Sequence, residues 1–438
     1  MESRRPPRQV PASAHTGRMA EDWAREALAI GERGRAAARQ LAAASTNTKN
    51  AALRAMAAGL RAGASGVLKE NAADVAAARE AGQPAAIIDR LALTLDRIEK
   101  MAKSVDEILQ LRDPVGEIIE GCVRPNGLMI HRVRVPLGVI LIIYESRPNI
   151  TSDVAALGLK SGNAVILRGG KESLRSNLAI HSLLANAVQG EGLPADAIQM
   201  IETPDRHLLA ALLKTDRFID VVIPRGGEAL IRAVAQESTI PVIKHYKGVC
   251  HVYVDELGDL DMAEAICFNA KVQRAATCNA METMLVHKNV AARFLPRICR
   301  RMAEAGVELR GDELTRRIWP DAKAATEDDW YAEYLDLVLA VRVVDDVREA
   351  IDHIAKYGSN HTDAIVSEDI RRIQQFVRDV DSSSVMVNTS TRFSDGGEYG
   401  LGAEVGISTD KLHARGPMGL RDLTTYKWVV YGSGQLRT

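Results

Sequence analysis

The stretch Val272–His287, VQRAATCNAMETMLVH, places one thiol, Cys278, among small and apolar residues. Thr277 and Asn279 flank it, and Gln273 and Arg274 lie just upstream. A lone cysteine in such a setting is ordinarily inert core. To act as a nucleophile it must ionise, and a helix beginning at Asn279 would favour the thiolate through its dipole. Two other stretches could hold an anion: VILRGGKES, Val165–Ser173, and VVIPRGGEAL, Val221–Leu230. Each reads as a strand that turns through a base and two glycines toward a helix. Glycine lets backbone come close to a ligand, and a helix N-terminus offers free N–H groups. Arg168, Lys171 and Arg225 add positive charge, and the repetition of the pattern points to a phosphate-bearing cofactor.

The elements that must position these residues show an α/β rhythm. From about Ala20 to Lys103 the sequence is Ala-rich with helical spacing, which predicts three or four helices. GEIIEGCVRPNGLMIHRVRVP, from Gly116 to Pro136, alternates in polarity around an RPNG turn and reads as a β-hairpin. Apolar strands such as LGVILIIYE, NAVILRGG, IDVVIPRGG and PVIKHY then alternate with helices such as NITSDVAALGLKSG and EALIRAVAQEST. That order predicts a parallel sheet with helices on both faces and ligands beyond the carboxyl ends of its strands. A second α/β unit follows Lys247, with strands CHVYVDE, TMLVH, LVLAVRVVDD, DAIVSE and SSVMVN. The terminal strand TTYKWVVYG needs a partner edge, for which another subunit is one source.

Composition narrows the function classes. With 438 residues the chain can hold two or more domains, and a net charge of −1 supplies no field toward nucleic acid or membrane. Five cysteines at 122, 250, 267, 278 and 299 form no CxxC pair, which argues against a disulfide scaffold or zinc module and suits a reducing compartment. No apolar run is long enough to span a bilayer. Neither a GxGxxG fingerprint nor a P-loop occurs, and the histidines do not cluster at metal-binding spacing, so no metal is expected. MESRRPPRQVPASAHTGR lacks the apolar middle of a secretory signal and reads as a disordered tail over residues 1–19, with a cytoplasmic location as the default.

Taken together, NAKVQRAATCNAMETMLVH, ESRPNITSDVAALGLKSGNAVILRGGKES, DVVIPRGGEALI, VREAIDHIAKYGSNHTDAI and NTSTRFSDGGEYGLGAEVGISTDKLHARGPMGLRDLTTYKW resemble the γ-glutamyl phosphate reductases of the aldehyde dehydrogenase superfamily. The resemblance runs from about Ala20 to Tyr431. It implies an aldehyde dehydrogenase-like fold: a cofactor-binding domain (20–111 and 136–245), a catalytic domain (246–423), and a small β oligomerisation arm (112–135 and 424–438). It also implies NADPH-dependent reduction of L-glutamyl 5-phosphate to L-glutamate 5-semialdehyde through a thioester on Cys278, in proline biosynthesis. The alternative within the superfamily is an enzyme that oxidises an aldehyde through a cysteine thioester. A non-catalytic scaffold is disfavoured by an intact Cys278 with both anion turns.

The resemblance assigns further residues. Hydrolytic relatives carry a deacylating Glu where VIKHYKG stands here. Lys244 and His245 occupy its place, which suits a reductase and could attract a phosphorylated substrate. Arg168 and Lys171 stand where relatives bind the adenosine ribose, and a base there suits a 2′-phosphate. Arg225, Gly226 and Gly227 would lie by the pyrophosphate, and Glu333 would bind the nicotinamide ribose. Asn149 is the candidate oxyanion donor. Arg147, Asn388, Ser390, Thr391 and Arg392 are candidates for the glutamyl head group and the phosphate. The expected partners are the small-molecule substrate, a second copy in a homodimer or homotetramer, and transiently glutamate 5-kinase as a separate protein. Neither nucleic acid nor membrane is expected.

Overall fold

The computed structural model describes residues 12–437 and resolves into two compact units. Unit 1 runs to Ile243 and takes the chain back from Leu420; unit 2 is Lys244–Gly419. This division puts Lys244 and His245 in unit 2, whereas the sequence reading carried the cofactor domain through residue 245.

Unit 1 opens with five helices rather than three or four: α1 (Ala12–Ala43), α2 (Thr46–Ala62), α3 (Ala64–Glu80), α4 (Ala85–Leu91) and α5 (Leu95–Gln110). α1 begins inside the stretch expected as a disordered tail, because Ala, Met, Arg and Glu from residue 12 onward are good helix formers. Residues 1–11, the rest of that expectation, lie outside the described residues. Ser45 and Thr94 cap α2 and α5 by accepting the backbone N–H of Thr48 and Arg97. The hairpin of β1 (Ile118–Val123) and β2 (Met129–Pro136) is antiparallel as expected. The C-terminal strand Thr424–Tyr431 pairs antiparallel with β2 of its own chain and forms the edge of this three-stranded sheet.

Behind the helices lies a four-stranded parallel sheet of β3 (Val139–Tyr144), β4 (Ala164–Arg168), β5 (Ile198–Met200) and β6 (Val221–Arg225), in the order β5-β4-β3-β6. Helices α6 (Asn149–Lys160), α7 (Leu174–Gly190) and α8 (Arg206–Leu212) connect these strands, and α9 (Glu228–Glu237) follows the last. VILIIY of β3 is fully buried, as a central parallel strand covered on both faces must be. The expected strand PVIKHY reduces to one bridge, Val242 beside Val222. From Lys244 the chain belongs to unit 2, so the run is cut after its apolar half.

Unit 2 is built on a seven-stranded parallel sheet. Along the chain come β7 (Cys250–Val254), α10 (Leu260–Val272), β8 (Met281–His287), α11 (Lys288–Glu304), β9 (Glu308–Gly311), α12 (Glu313–Ile318), β10 (Lys323–Ala324) and α13 (Glu327–Trp330). After them come β11 (Val338–Val344), α14 (Val347–Tyr357), β12 (Thr362–Val366), α15 (Ile370–Asp379) and β13 (Ser384–Val387). The strand order is β10-β9-β11-β8-β7-β12-β13. One face packs Met281, Met284 and Val286 against Phe294, Leu295 and Ile298 of α11; the other packs Tyr253, Leu285 and Ile365 against α14 and Phe376 of α15. β7 and β8 are wholly buried, which fixes the turn before β8 where Cys278 lies.

Candidate active site

Cys278 is half-buried in the turn that joins α10 to β8. No helix starts at Asn279; β8 begins at Met281, so the helix dipole anticipated for the thiol is absent. Backbone contacts hold the turn instead. The Cys250 thiol, at the start of β7, donates to the Cys278 carbonyl at 3.2 Å. Burial, followed by the charge of Asp363, pushes the Cys250 thiol well up, so it stays protonated and able to donate. Gly248 lies so close that a Cβ built on it would stand 1.9 Å from the Cys278 carbonyl oxygen, so only glycine fits. Glu333 fixes Gly248 in turn, accepting its N–H at 2.9 Å.

The side chain after the nucleophile ties the turn to the loop that follows β13. Asn279 Nδ2 donates to the carbonyls of Ser394 at 2.9 Å and Arg392 at 3.4 Å. Arg392 Nε donates to Gln273 Oε1 at 2.9 Å. Of the four candidates in that loop, Arg392 therefore reaches the Cys278 turn directly. Ser390 accepts the Arg392 N–H and caps a short turn over Thr391–Phe393. Thr391 is fully buried, and its hydroxyl oxygen has no hydrogen-bond partner among the described residues. Asn388, at φ 52°, spends its amide on the backbone of Ser367, accepting its N–H at 3.0 Å and donating to its carbonyl at 2.9 Å.

Lys244 and His245 are also engaged. Lys244 Nζ pairs with Asp410 at 3.3 Å, and Asp410 also accepts the Lys244 N–H at 3.1 Å. His245 Nδ1 lies 2.8 Å from the Ile407 carbonyl, which can only accept, so Nδ1 carries the proton. Its ring meets that of His361 edge-on at 5.7 Å. Burial lowers His361 to about 4, keeping it neutral near pH 7. Beneath the turn, Lys271 Nζ and Glu282 Oε2 pair at 2.6 Å with both side chains fully buried. Glu282 Oε1 accepts the N–H of Leu335, two residues past Glu333. Leu335 has φ 53°, a left-handed conformation that strains a side chain of its size. Sequence spacing gave no sign of this pair; its only signal was two opposite charges inside otherwise apolar runs.

Unit 1 gathers the cofactor candidates at the carboxyl ends of its strands. The order β5-β4-β3-β6 reverses direction at β3, and Tyr144 of β3 stands in register with Arg225 of β6. A Cβ on Gly170 would meet Ser146 N at 3.2 Å, so the turn after β4 lies on the turn after β3. Arg168 ends β4 with Nη2 donating to the Pro204 carbonyl at 3.0 Å, while its Nε is buried without a partner. Burial and the neighbouring Arg206 lower its pKa. Lys171 is exposed just beyond. Gly227 N, at the start of α9, donates to Glu145 Oε2 at 3.0 Å, so a carboxylate sits where the pyrophosphate was expected. Asn149 opens α6, is exposed, and donates to Asp153 of its own helix at 3.2 Å. Arg147 is exposed on the same turn. The residues fit a dinucleotide: an orphaned guanidinium nitrogen, an exposed lysine, and a helix N-terminus whose Gly227 N–H holds a carboxylate.

Among the described residues there is no metal-ligating cluster, and no helix is long and apolar enough to cross a membrane. The profile of the aldehyde dehydrogenase family matches residues 9–316. A γ-glutamyl phosphate reductase of Geotalea daltonii is 55% identical over 403 residues, 92% of this chain and 96% of that protein. One from Caldanaerobacter subterraneus is 53% identical over 401 residues, 92% of this chain and 97% of its own. The crystal structure of the Thermotoga maritima γ-glutamyl phosphate reductase superposes with a TM-score of 0.93 at 47% identity, covering 94% of this chain and 100% of that one.

Proposed function

The chain belongs to the aldehyde dehydrogenase family, among its γ-glutamyl phosphate reductases, and from that premise we propose how its residues carry the reaction. It reduces L-glutamyl 5-phosphate to L-glutamate 5-semialdehyde with release of phosphate, a step of proline biosynthesis. The Cys278 thiolate attacks the acyl carbon; the carbon–sulfur bond forms, and the carbon–oxygen bond to phosphate breaks. The phosphate leaves with that electron pair and takes a proton from solvent. When bound, the nicotinamide cofactor supplies a hydride to the thioester carbon. The resulting alkoxide then expels the thiolate and becomes the aldehyde, with the Cys278 N–H as a hydrogen-bond donor; Asn149 stays the candidate for a side-chain donor.

NADPH is the proposed form of the cofactor. Arg168 and Lys171 would hold its 2′-phosphate, Arg225, Gly226 and Gly227 its pyrophosphate once Glu145 yields Gly227 N, and Glu333 its nicotinamide ribose. Arg147, Lys244, His245, Asn388, Ser390, Thr391 and Arg392 remain the proposed substrate contacts, with a cytoplasmic location and a homo-oligomer proposed alongside. The observation that carries the mechanism lies at residues 244–247. None of residues 244–247 is a carboxylate that could activate water, Lys244 is held by Asp410, and His245 by the Ile407 carbonyl. The thioester is therefore kept for hydride rather than hydrolysed.

The reverse reaction tests this. Glutamate semialdehyde, phosphate and NADP should give phosphate-dependent cofactor reduction that Cys278→Ala abolishes and NAD supports more weakly. A wild-type enzyme without phosphate dependence would refute the mechanism.

A further inference from the structure

We infer that Arg274 and Arg392 together form the subsite for the phosphoryl group of the acyl phosphate, next to the nucleophile, and that Arg274 sets the specificity for a phosphate leaving group. The inference rests on the mechanism above and names the part of the site that takes the phosphate.

The geometry starts from the Cys278 turn. Its first residues, Gln273 and Arg274, follow directly on α10, and Thr277 Oγ1 bonds back to the Arg274 carbonyl at 2.9 Å, closing the turn. Gln273 Oε1 receives the Arg392 guanidinium at 2.9 Å, and Asn279 holds the Arg392 backbone from the other side of the thiol. The Arg392 head group is thus fixed over the segment that carries both Arg274 and Cys278. Burial, and after it the charge of Arg274, lowers the pKa of Arg392, while the charges of Asp395 and Cys278 raise it, so Arg274 and the thiol both act on this guanidinium.

Neither guanidinium has a carboxylate within ion-pair distance among the described residues. Other cations of this unit do: Lys244 is matched by Asp410, Lys271 by Glu282, and Arg372 by Asp255 and Glu256. Two like charges without a direct ion-pair partner are stabilised when an anion joins them. The chemistry supplies that anion. An anionic thiolate must approach an acyl phosphate that carries about two negative charges at neutral pH, and the departing phosphate gains more. Two planar guanidiniums can take phosphate oxygens in fork geometry and neutralise both the approach and the departure. The glutamyl α-carboxylate lies at the far end of the substrate's side chain from the reacting carbon, so the cations beside the thiol meet the phosphate first.

The same subsite must bind inorganic phosphate in the reverse reaction, where phosphate attacks the thioester, and this separates the two anions of the substrate. Arg274→Ala should raise the KM for phosphate by about tenfold or more and leave the KM for glutamate semialdehyde within about twofold, with Arg274→Lys in between. Phosphate should also slow iodoacetamide alkylation of Cys278 in the wild type but not in Arg274→Ala, a readout that needs a folded turn and no turnover. An unchanged KM for phosphate, or phosphate and aldehyde KM values rising in parallel, would overturn the assignment. If instead the wild-type enzyme itself shows no phosphate dependence, it is the acyl-phosphate mechanism that fails, and the two failures are told apart.

Discussion

Glu333 Oε1 accepts the Gly248 N–H at 2.9 Å, across 85 residues of sequence, and Gly248 in turn lies against the carbonyl of Cys278. One carboxylate thereby braces the nucleophile's turn, and the proposed contact to the nicotinamide ribose would fall on the same side chain. Glu333→Gln keeps an acceptor for Gly248 but loses the charge. Steady-state kinetics should show the KM for the cofactor rising roughly tenfold, with the rate of Cys278 alkylation little changed. Glu333→Ala should alter both. Equal alkylation rates in all three proteins would show that the brace is unimportant.

Gly248→Ala should be nearly inactive. Its Cβ would be placed 1.9 Å from the Cys278 carbonyl oxygen, so the turn or β7 has to move. Overpacking of this kind costs about 1–3 kcal/mol, which a urea midpoint would register, while kcat should fall far more than that loss of stability explains. A variant with wild-type kcat would mean that the thiol tolerates the displacement.

Lys271 and Glu282 pair at 2.6 Å with no exposure to water. Lys271→Met leaves Glu282 buried and uncompensated, and the expected loss is about 3–5 kcal/mol in equilibrium unfolding. The double variant Lys271→Met/Glu282→Leu should recover much of it. Failure to recover would point to the Leu335 N–H, which Glu282 also accepts, as the larger part of the loss.

His361 is buried with its pKa lowered from 6.5 to about 4. The unfolded chain therefore binds the extra proton first, so stability contributed by the neutral ring is present above about pH 6.5 and is lost as pH falls toward 4. The ceiling is about 3 kcal/mol. Unfolding midpoints at pH 7 and pH 5 should differ less in His361→Leu than in the wild type. His353, lowered to about 2, adds a loss of the same sign to both proteins, so the difference between them isolates His361.

Lys171 is exposed beside Arg168 at the end of β4. Lys171→Glu should raise the KM for NADPH by roughly tenfold to a hundredfold and leave the KM for NADH nearly unchanged. Parallel changes for both cofactors would place the 2′-phosphate elsewhere.

The central strands were readable because burial on both faces demands continuous apolar runs, as in VILIIY of β3 and METMLVH of β8. PVIKHY misled for the same reason: its apolar half pairs beside β6, but Lys244 and His245 continue into the other unit. Pro and Arg at the start of the chain suggest disorder, but the helix formers that follow residue 12 carry α1 into the same stretch. Cys278 and Arg392 were legible through resemblance. Their setting was not, because Gly248–Glu333, Asn279–Arg392 and Lys271–Glu282 are contacts between distant or buried residues with no periodic signature. The acid at Gly227, Glu145, was missed because a strand-end glutamate gives no hint that it folds onto a helix N-terminus 82 residues on.

The pairing of Thr424–Tyr431 with Met129–Pro136 has a consequence for biogenesis. Unit 2 is one uninterrupted stretch and can fold while the ribosome is still at work. Unit 1 cannot complete its antiparallel sheet until Thr424–Tyr431 emerges, after the whole of unit 2 has been made. Until then β2 presents a bare strand edge, a site for mispairing with a neighbouring nascent chain. Deleting Thr424–Tyr431 should therefore lower soluble yield although it touches no residue of the catalytic turn.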